Sequence, residues 1–276
     1  MTLLSLPAIL LWGAFTGIVF SAIGAAGGIL TSFGLITLFG VAEPNAVKPM
    51  TQLVVLATAL TFVPGYLRRG SAVVPLGLAL GAGGLAGAWL GSTLSAHYLS
   101  DMARFRPLFG LLTLAVAVQI FWKLLTPAPA AGTCGKPVEL VRTSLAALTF
   151  RHCQRLYSVP TWQPLLAGFA IAMTAAIFGV GGGFLLVPYM ASLLAMPMHI
   201  IPATAAIAIF MALAVSIGNF IRLGAPLEWG LLVPLIIGAV IGAILGPKIN
   251  KWMKNSWLQI AMGVIVAGIG LKYVAL

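Results

Sequence analysis

The chain has 276 residues, 61% of them hydrophobic and only 7% charged, with a mean hydropathy of +1.11. That composition excludes an ordinary soluble domain and describes an integral membrane protein. The net charge of +11 comes from fifteen basic residues scattered among short loops and one linker; with no basic stripe interleaved with aromatics it excludes a nucleic-acid binder and reads as loop charge that orients a membrane protein.

In chain order, hydropathy predicts helices over 3–23, 28–41, 44–66, 73–94 and 105–125. No basic leader or small-residue cleavage site marks the first, so it is expected to stay in the mature protein. A polar, proline-containing linker follows over 126–161, with no apolar run able to cross a hydrocarbon core of about 30 Å. Its stretch RTSLAALTFRHCQR, 142–155, reads either as a basic helix lying on anionic headgroups or as a disordered connector. Cys134 and Cys153 fall in the same region at no metal-ligand spacing, as free thiols facing a reducing cytoplasm. The pattern then restarts, with helices expected over 162–178, 183–195, 199–221, 227–247 and 257–275.

The second half echoes the first at a displacement of 155 positions. Gly24, Gly27 and Gly28 meet Gly179, Gly182 and Gly183; Leu38 meets Leu193, Ala59 meets Ala214, and Gly83, Gly87 and Gly91 meet Gly238, Gly242 and Gly246. Residues 1–126 are thus expected to form a first membrane repeat, 127–160 a basic cytoplasmic linker and 161–276 a second repeat. A single helix over 3–41 would extend roughly 58 Å at 1.5 Å per residue, too far for one span. The bend is expected at the glycines of 24–28, and FGVGGGF, 178–184, holds the matching place. The expected fold is an all-α membrane protein of two homologous halves, each opening with a broken or re-entrant helix pair followed by three transmembrane helices. If each opening pair returns to its starting side, ten of the fifteen basic residues lie on the linker's face, which favours a cytoplasmic linker and inverted halves.

Broken helices carry chemistry. In lipid an unpaired amide costs several kcal/mol, so a break persists only where packing, water or a ligand satisfies the freed groups. A helix restarting after the break has N–H groups without intrahelical partners and a partial positive charge, and glycine lets a ligand approach the backbone. Two such starts facing one space suit an anion. The expected binding residues are Gly24, Gly27, Gly28 and Ile29 at the first break and Gly179, Gly181, Gly182, Gly183 and Phe184 at the second. Thr31, Ser32, Thr51, Gln52, Thr204 and Asn219 supply nearby hydroxyl and amide groups. A hydroxyl in a membrane helix also commonly bonds its own backbone, which is the competing role for each. The four-residue spacing of Gly83, Gly87 and Gly91, and of Gly238, Gly242 and Gly246, instead reads as a close-packing face. Lys48 and Arg222, at helix ends, either snorkel to the interface or guide an anion inward.

The duplicated layout, with SAIGAAGGIL in the first half and AAIFGVGGGFLLVPYM followed by IPATAAIAIF in the second, resembles the TauE/SafE family of sulfite and organosulfonate exporters over essentially the whole chain. The resemblance implies transport of small sulfur-containing anions, such as sulfite, thiosulfate or organosulfonates, across the cytoplasmic (inner) membrane of a prokaryote. The first half departs from the usual pattern, with Ala25-Ala26 among its glycines and Lys48-Pro-Met-Thr51 where a small-residue and hydroxyl pair is typical.

Taken together, the expectation is a secondary transporter working by alternating access, with a small anion and the lipid bilayer as partners and no cofactor or metal. An anion channel using the same helix poles is the alternative, and counterflow in liposomes separates them. A noncatalytic or enzymatic membrane subunit is a further, lesser alternative, disfavoured because the sequence offers no intramembrane His, Asp and Cys constellation for chemistry. Glycine-rich faces serve either internal packing or a homodimer contact.

Overall fold

The fold is described from a computed structural model for residues 5–23, 27–67, 72–125, 139–144, 147–152, 155–196, 200–250 and 255–275. Among these residues the chain is mostly helical, with ten α-helices and three short strands. The first half comprises α1 (Ser5–Ile23), α2 (Gly27–Phe33) with a π-helical continuation over Gly34–Leu38, α3 (Pro44–Leu67), α4 (Val74–Tyr98) and α5 (Met102–Leu125). The second comprises α6 (Trp162–Phe178), α7 (Gly183–Pro188) with its own π-helical turn over Tyr189–Leu193, α8 (Ile201–Arg222), α9 (Trp229–Asn250) and α10 (Asn255–Ala275). The expected helices match these to within a few residues. The π-helical turns stand 155 positions apart, as do the first residues of α4 and α9. Among the described residues four segments are long and apolar enough to cross a membrane: Val74–Tyr98, Met102–Leu125, Ile201–Arg222 and Trp229–Gly246.

Glycine decides which helices pair. A methyl group added at Gly83, Gly87 or Gly91 of α4 would stand 1.9, 2.1 or 2.4 Å from the carbonyl oxygens of Leu165, Phe169 and Met173 on α6. The partners advance together, so α4 and α6 run parallel with backbones in contact. In the same way Gly238 and Gly242 of α9 meet the carbonyls of Leu10 and Ala14 on α1 at 2.2 and 2.0 Å, again with both chains advancing. The expected packing role of these glycines is therefore their observed position. By contrast α5 and α10 run antiparallel, since Gly110 faces Gly270 and Val274 whereas Phe121 faces Gly263.

Between the halves the structure departs from the expectation of a basic helix or a disordered connector. Glu139–Thr143, Ala147–His152 and Arg155–Pro160 form strands β1, β2 and β3 of an antiparallel meander. The cause is a period of two: Leu148 and Phe150 are buried, whereas Arg151 is exposed, and Val159 is buried across from Leu148. Helical spacing would scatter these side chains around the axis, whereas pleating puts them on one face. Phe150 stacks on Tyr157 with ring centroids 5.0 Å apart. That apolar face joins Val73, Leu76 and Leu80 of α4 and its approach, and Leu186, Met190 and Ile200 of the second half, in one buried cluster. Cys134 and Cys153 lie outside the described residues.

Candidate functional site

The second break is built by its glycines. Helix α6 ends because Gly179 turns left-handed at φ 72°, its N–H capping back to the Ala175 carbonyl. Val180 N–H donates to that same oxygen at 3.2 Å. Gly181 is also left-handed at φ 70°, so no side-chain-bearing residue fits either place without strain. Helix α7 then restarts, with the Gly182 carbonyl accepting from Leu185 and Leu186 at 3.3 and 3.0 Å, while Gly183 N–H is taken by the Gly181 carbonyl at 2.7 Å. The N–H groups of Gly181, Gly182 and Phe184 find no acceptor among the described residues. These are the unsatisfied donors of a helix start.

Gly182 borders a narrow cleft between α4, α6, α7 and α8, part of it open to the surface, with a cavity volume of about 20 Å³, room for one water-sized guest before the walls move. Its walls are mostly Ala, Leu, Ile and Gly, and two polar side chains reach it: Gln52 from α3 and Ser216 from α8. Both are 1% exposed, and neither Gln52 Oε1 nor Ser216 Oγ has a hydrogen-bond partner. Two orphaned polar atoms in one apolar cleft cost free energy until something fills them.

The start of α2 is packed directly against the second break. A methyl group at Gly28 would stand 2.0 Å from the Val180 carbonyl oxygen, and Ile29, Val180 and Phe184 share one buried cluster. Gly24 lies outside the described residues. Around Gly27 the space lined by Thr16, Phe20, Thr31, Val54, Val55 and Thr58 is closed, too tightly packed to admit a water.

Of the residues expected to bind, the structure thus brings Gln52 and Gly182 to the larger cleft and Gly27 and Thr31 to the smaller one, while Gly28 packs on Val180. Gly181 and Gly183 flank Gly182, and Gly179 packs on the Lys48 backbone. The others tie helices together. Ser32 and Thr51 bond each other at 3.0 Å between α2 and α3. Thr204 accepts from Val73 N–H at 2.9 Å and donates to the Ile200 carbonyl at 3.0 Å. The Asn219 amide donates to Ser92 Oγ and Thr93 Oγ1 at 2.8 and 2.9 Å, joining α8 to α4.

Two features escaped the sequence reading. Ser216 lies one helical turn before Asn219, on the same face, and that spacing is the signal that could have found it. Lys48 neither snorkels nor faces a cleft: it is fully buried, and its Nζ donates to the carbonyls of Leu99 and Ser95 at 2.7 and 3.2 Å and to Asn45 Oδ1 at 3.2 Å. It caps the carboxyl end of α4, where cations are favoured. Arg222 ends α8 as an exposed residue.

Residues 9–273 match the protein family described as Sulfite exporter TauE/SafE. The chain is 24% identical over 272 residues to the probable membrane transporter protein YunE of Bacillus subtilis (strain 168), covering 95% of this chain and 94% of that one. It is 26% identical over 273 residues to a probable membrane transporter protein of Xylella fastidiosa (strain Temecula1 / ATCC 700964), covering 98% and 95%. No solved structure matches it. A glycine-built restart at α7, apolar spans and a match over nearly the full length converge: the chain is a multi-pass membrane protein and belongs to the TauE/SafE sulfite exporter family, a transporter family and not an enzyme family.

Proposed function

We propose that the protein exports small sulfur-containing anions, such as sulfite, thiosulfate or organosulfonates, across the inner membrane by alternating access, holding the anion at the start of α7. The observation that carries this reading is the meeting at one cleft of Gly182, whose N–H has no acceptor among the described residues, with two buried side chains, Gln52 and Ser216, that each leave one oxygen without a partner. An oxyanion would accept from the Gly182 region's amides and from the Ser216 hydroxyl. The Gln52 amide, turned over about its last torsion, would add an N–H donor. The apolar walls raise the strength of each such bond by lowering the local dielectric.

Inverted repeats fit the same reading. The pairs α1 with α9 and α4 with α6 are equivalent under the 155-residue displacement, and α5 and α10, equivalents of one another, run antiparallel, as a two-fold axis in the membrane plane requires. In this arrangement 1–126 and 161–276 are the two repeats, and 127–160 joins them on the cytoplasmic side.

The test is sulfite binding to purified protein by calorimetry, compared with Gln52→Ala and Ser216→Ala. Each lost bond to a charged guest is worth about 1.5–3 kcal/mol, so each variant should bind at least about tenfold more weakly. Unchanged affinity in both variants would refute the site.

A further inference from the structure

The two clefts are copies of one another. Displaced by 155 positions, Thr16, Phe20, Gly27, Thr31, Val54 and Thr58 of the smaller cleft become Ile171, Ala175, Gly182, Leu186, Ile209 and Leu213, all of which line the larger one. The equivalent spaces are in different states. In the second half a methyl group at Gly182 would have its nearest neighbours 3.6 and 3.7 Å away, in ordinary contact. In the first half a methyl group at Gly27 would stand 2.4 Å from Phe20 Cβ and 2.8 Å from its ring, so the bare glycine face is already occupied by phenylalanine. Where the second half has the small Ala175, the first has this ring, 6% exposed. Val55 lies between the two spaces, lining the closed cleft and touching Gly181 on its other side.

We infer that the cleft at the first break is a second transit site for the same oxyanion, shut here by the Phe20 ring and opened, as the cleft of the second break closes, toward the face opposite the linker. The inference rests on the transport reading above. Its chemistry differs from that of the open cleft. Where the second half presents Ile171, Leu186 and Leu213, the first presents three threonine hydroxyls, bonded for now to the carbonyls of Gly13, Gly27 and Val54 at 2.9, 2.9 and 2.6 Å. A hydroxyl turns about one bond, so each can leave its own helix and donate to an anion once the ring withdraws. The larger cleft, by contrast, shares Leu80, Leu186 and Ala208 with the cluster under the β-meander, on the linker's side. Inverted halves point the equivalent opening of the smaller cleft the other way.

The experiment is thiol labelling in a background with Cys134 and Cys153 replaced by Ser, in sealed vesicles of either orientation, using the anionic reagent sulfonatoethyl methanethiosulfonate. Ser216→Cys should label from the linker's face. Thr31→Cys should label slowly with Phe20 in place. Combined with Phe20→Ala, it should label about tenfold faster or more, and only from the opposite face, because the packing lost with a buried ring exceeds one decade of equilibrium. Phe20→Leu, closer in volume, should give a smaller rise of the same sidedness and serves if the alanine variant does not fold. Thr31→Cys labelling unchanged by both substitutions, or rising from the linker's face, overturns the inference. Sulfite binding to the unsubstituted protein is measured alongside: its absence sinks the transport reading, whereas intact binding with unchanged labelling sinks only the second site.

Discussion

At the scale of single residues, the cost of burying polar atoms sorts roles that residue type alone leaves mixed. Lys48 is fully buried, yet its Nζ has three oxygen acceptors and lies 5.1 Å from the centre of the Phe105 ring. Its donors are spent on the end of α4, so it acts on stability and not on the guest. Lys48→Met strands those acceptors and should lower stability by about 1–3 kcal/mol, read as a fall in Tm in detergent, with sulfite affinity per folded molecule unchanged. A large loss of affinity at unchanged Tm would instead make it a binding residue. Gln52 and Ser216 are equally buried but lack partners for one polar atom each. Gln52 was legible as an amide one position after Thr51 in the helix that follows a glycine break. Ser216 was not, because a lone serine in an apolar helix ordinarily bonds its own backbone, and only the cleft reveals that this one does not. For Thr204 the same ambiguity resolves the other way, into a tie between helices, whereas Asn219 ties α8 to α4 through its amide N–H groups and leaves its own Oδ1 without a partner, outside the cleft lining.

At the scale of elements, glycine does two jobs that its spacing distinguishes. At four-residue intervals it brings backbones together, and at Gly87 a methyl group would stand 2.1 Å from the Phe169 carbonyl oxygen, an atom that cannot swing aside. In the dense cluster it breaks the helix. Gly182 is not left-handed, and a methyl group there meets only Ile171 and Ala175 side chains at 3.6 and 3.7 Å. Gly87→Ala should therefore force α4 and α6 apart and cost about 1–3 kcal/mol. Gly182→Ala should leave stability within about 0.5 kcal/mol while narrowing the cleft and weakening sulfite binding. Thermal unfolding and calorimetry on the two variants check this crossed pattern, and a Gly182→Ala protein that binds normally would contradict it. The helices and the break at Gly179–Gly182 were legible because length, apolarity and clustered glycine act locally. The β-meander was not: its period of two extends over a few residues of β2, and what fixes it is burial of Leu148 and Phe150 against α4 and the α7–α8 region, distant in sequence.

At the scale of the whole molecule, Gly27 and Gly182, 155 positions apart, have surroundings that differ in filling. Gly182 borders a cleft reached by two side-chain oxygens without partners, those of Gln52 and Ser216; Gly27 is closed over by Phe20, with the neighbouring threonines bonded internally. The direct packing of Gly28 on Val180 makes the two breaks one structural unit, so movement at either is felt at the other. Such an asymmetric pair is what alternating exposure of a shared site asks of inverted halves. The most direct measurement of the central claim is an experimental structure with selenite, the heavier analogue of sulfite, located by its anomalous signal. The account predicts selenium bordered by the Gly182 backbone, Gln52 and Ser216. A peak elsewhere in the protein, with that cleft empty at saturating selenite, would contradict it.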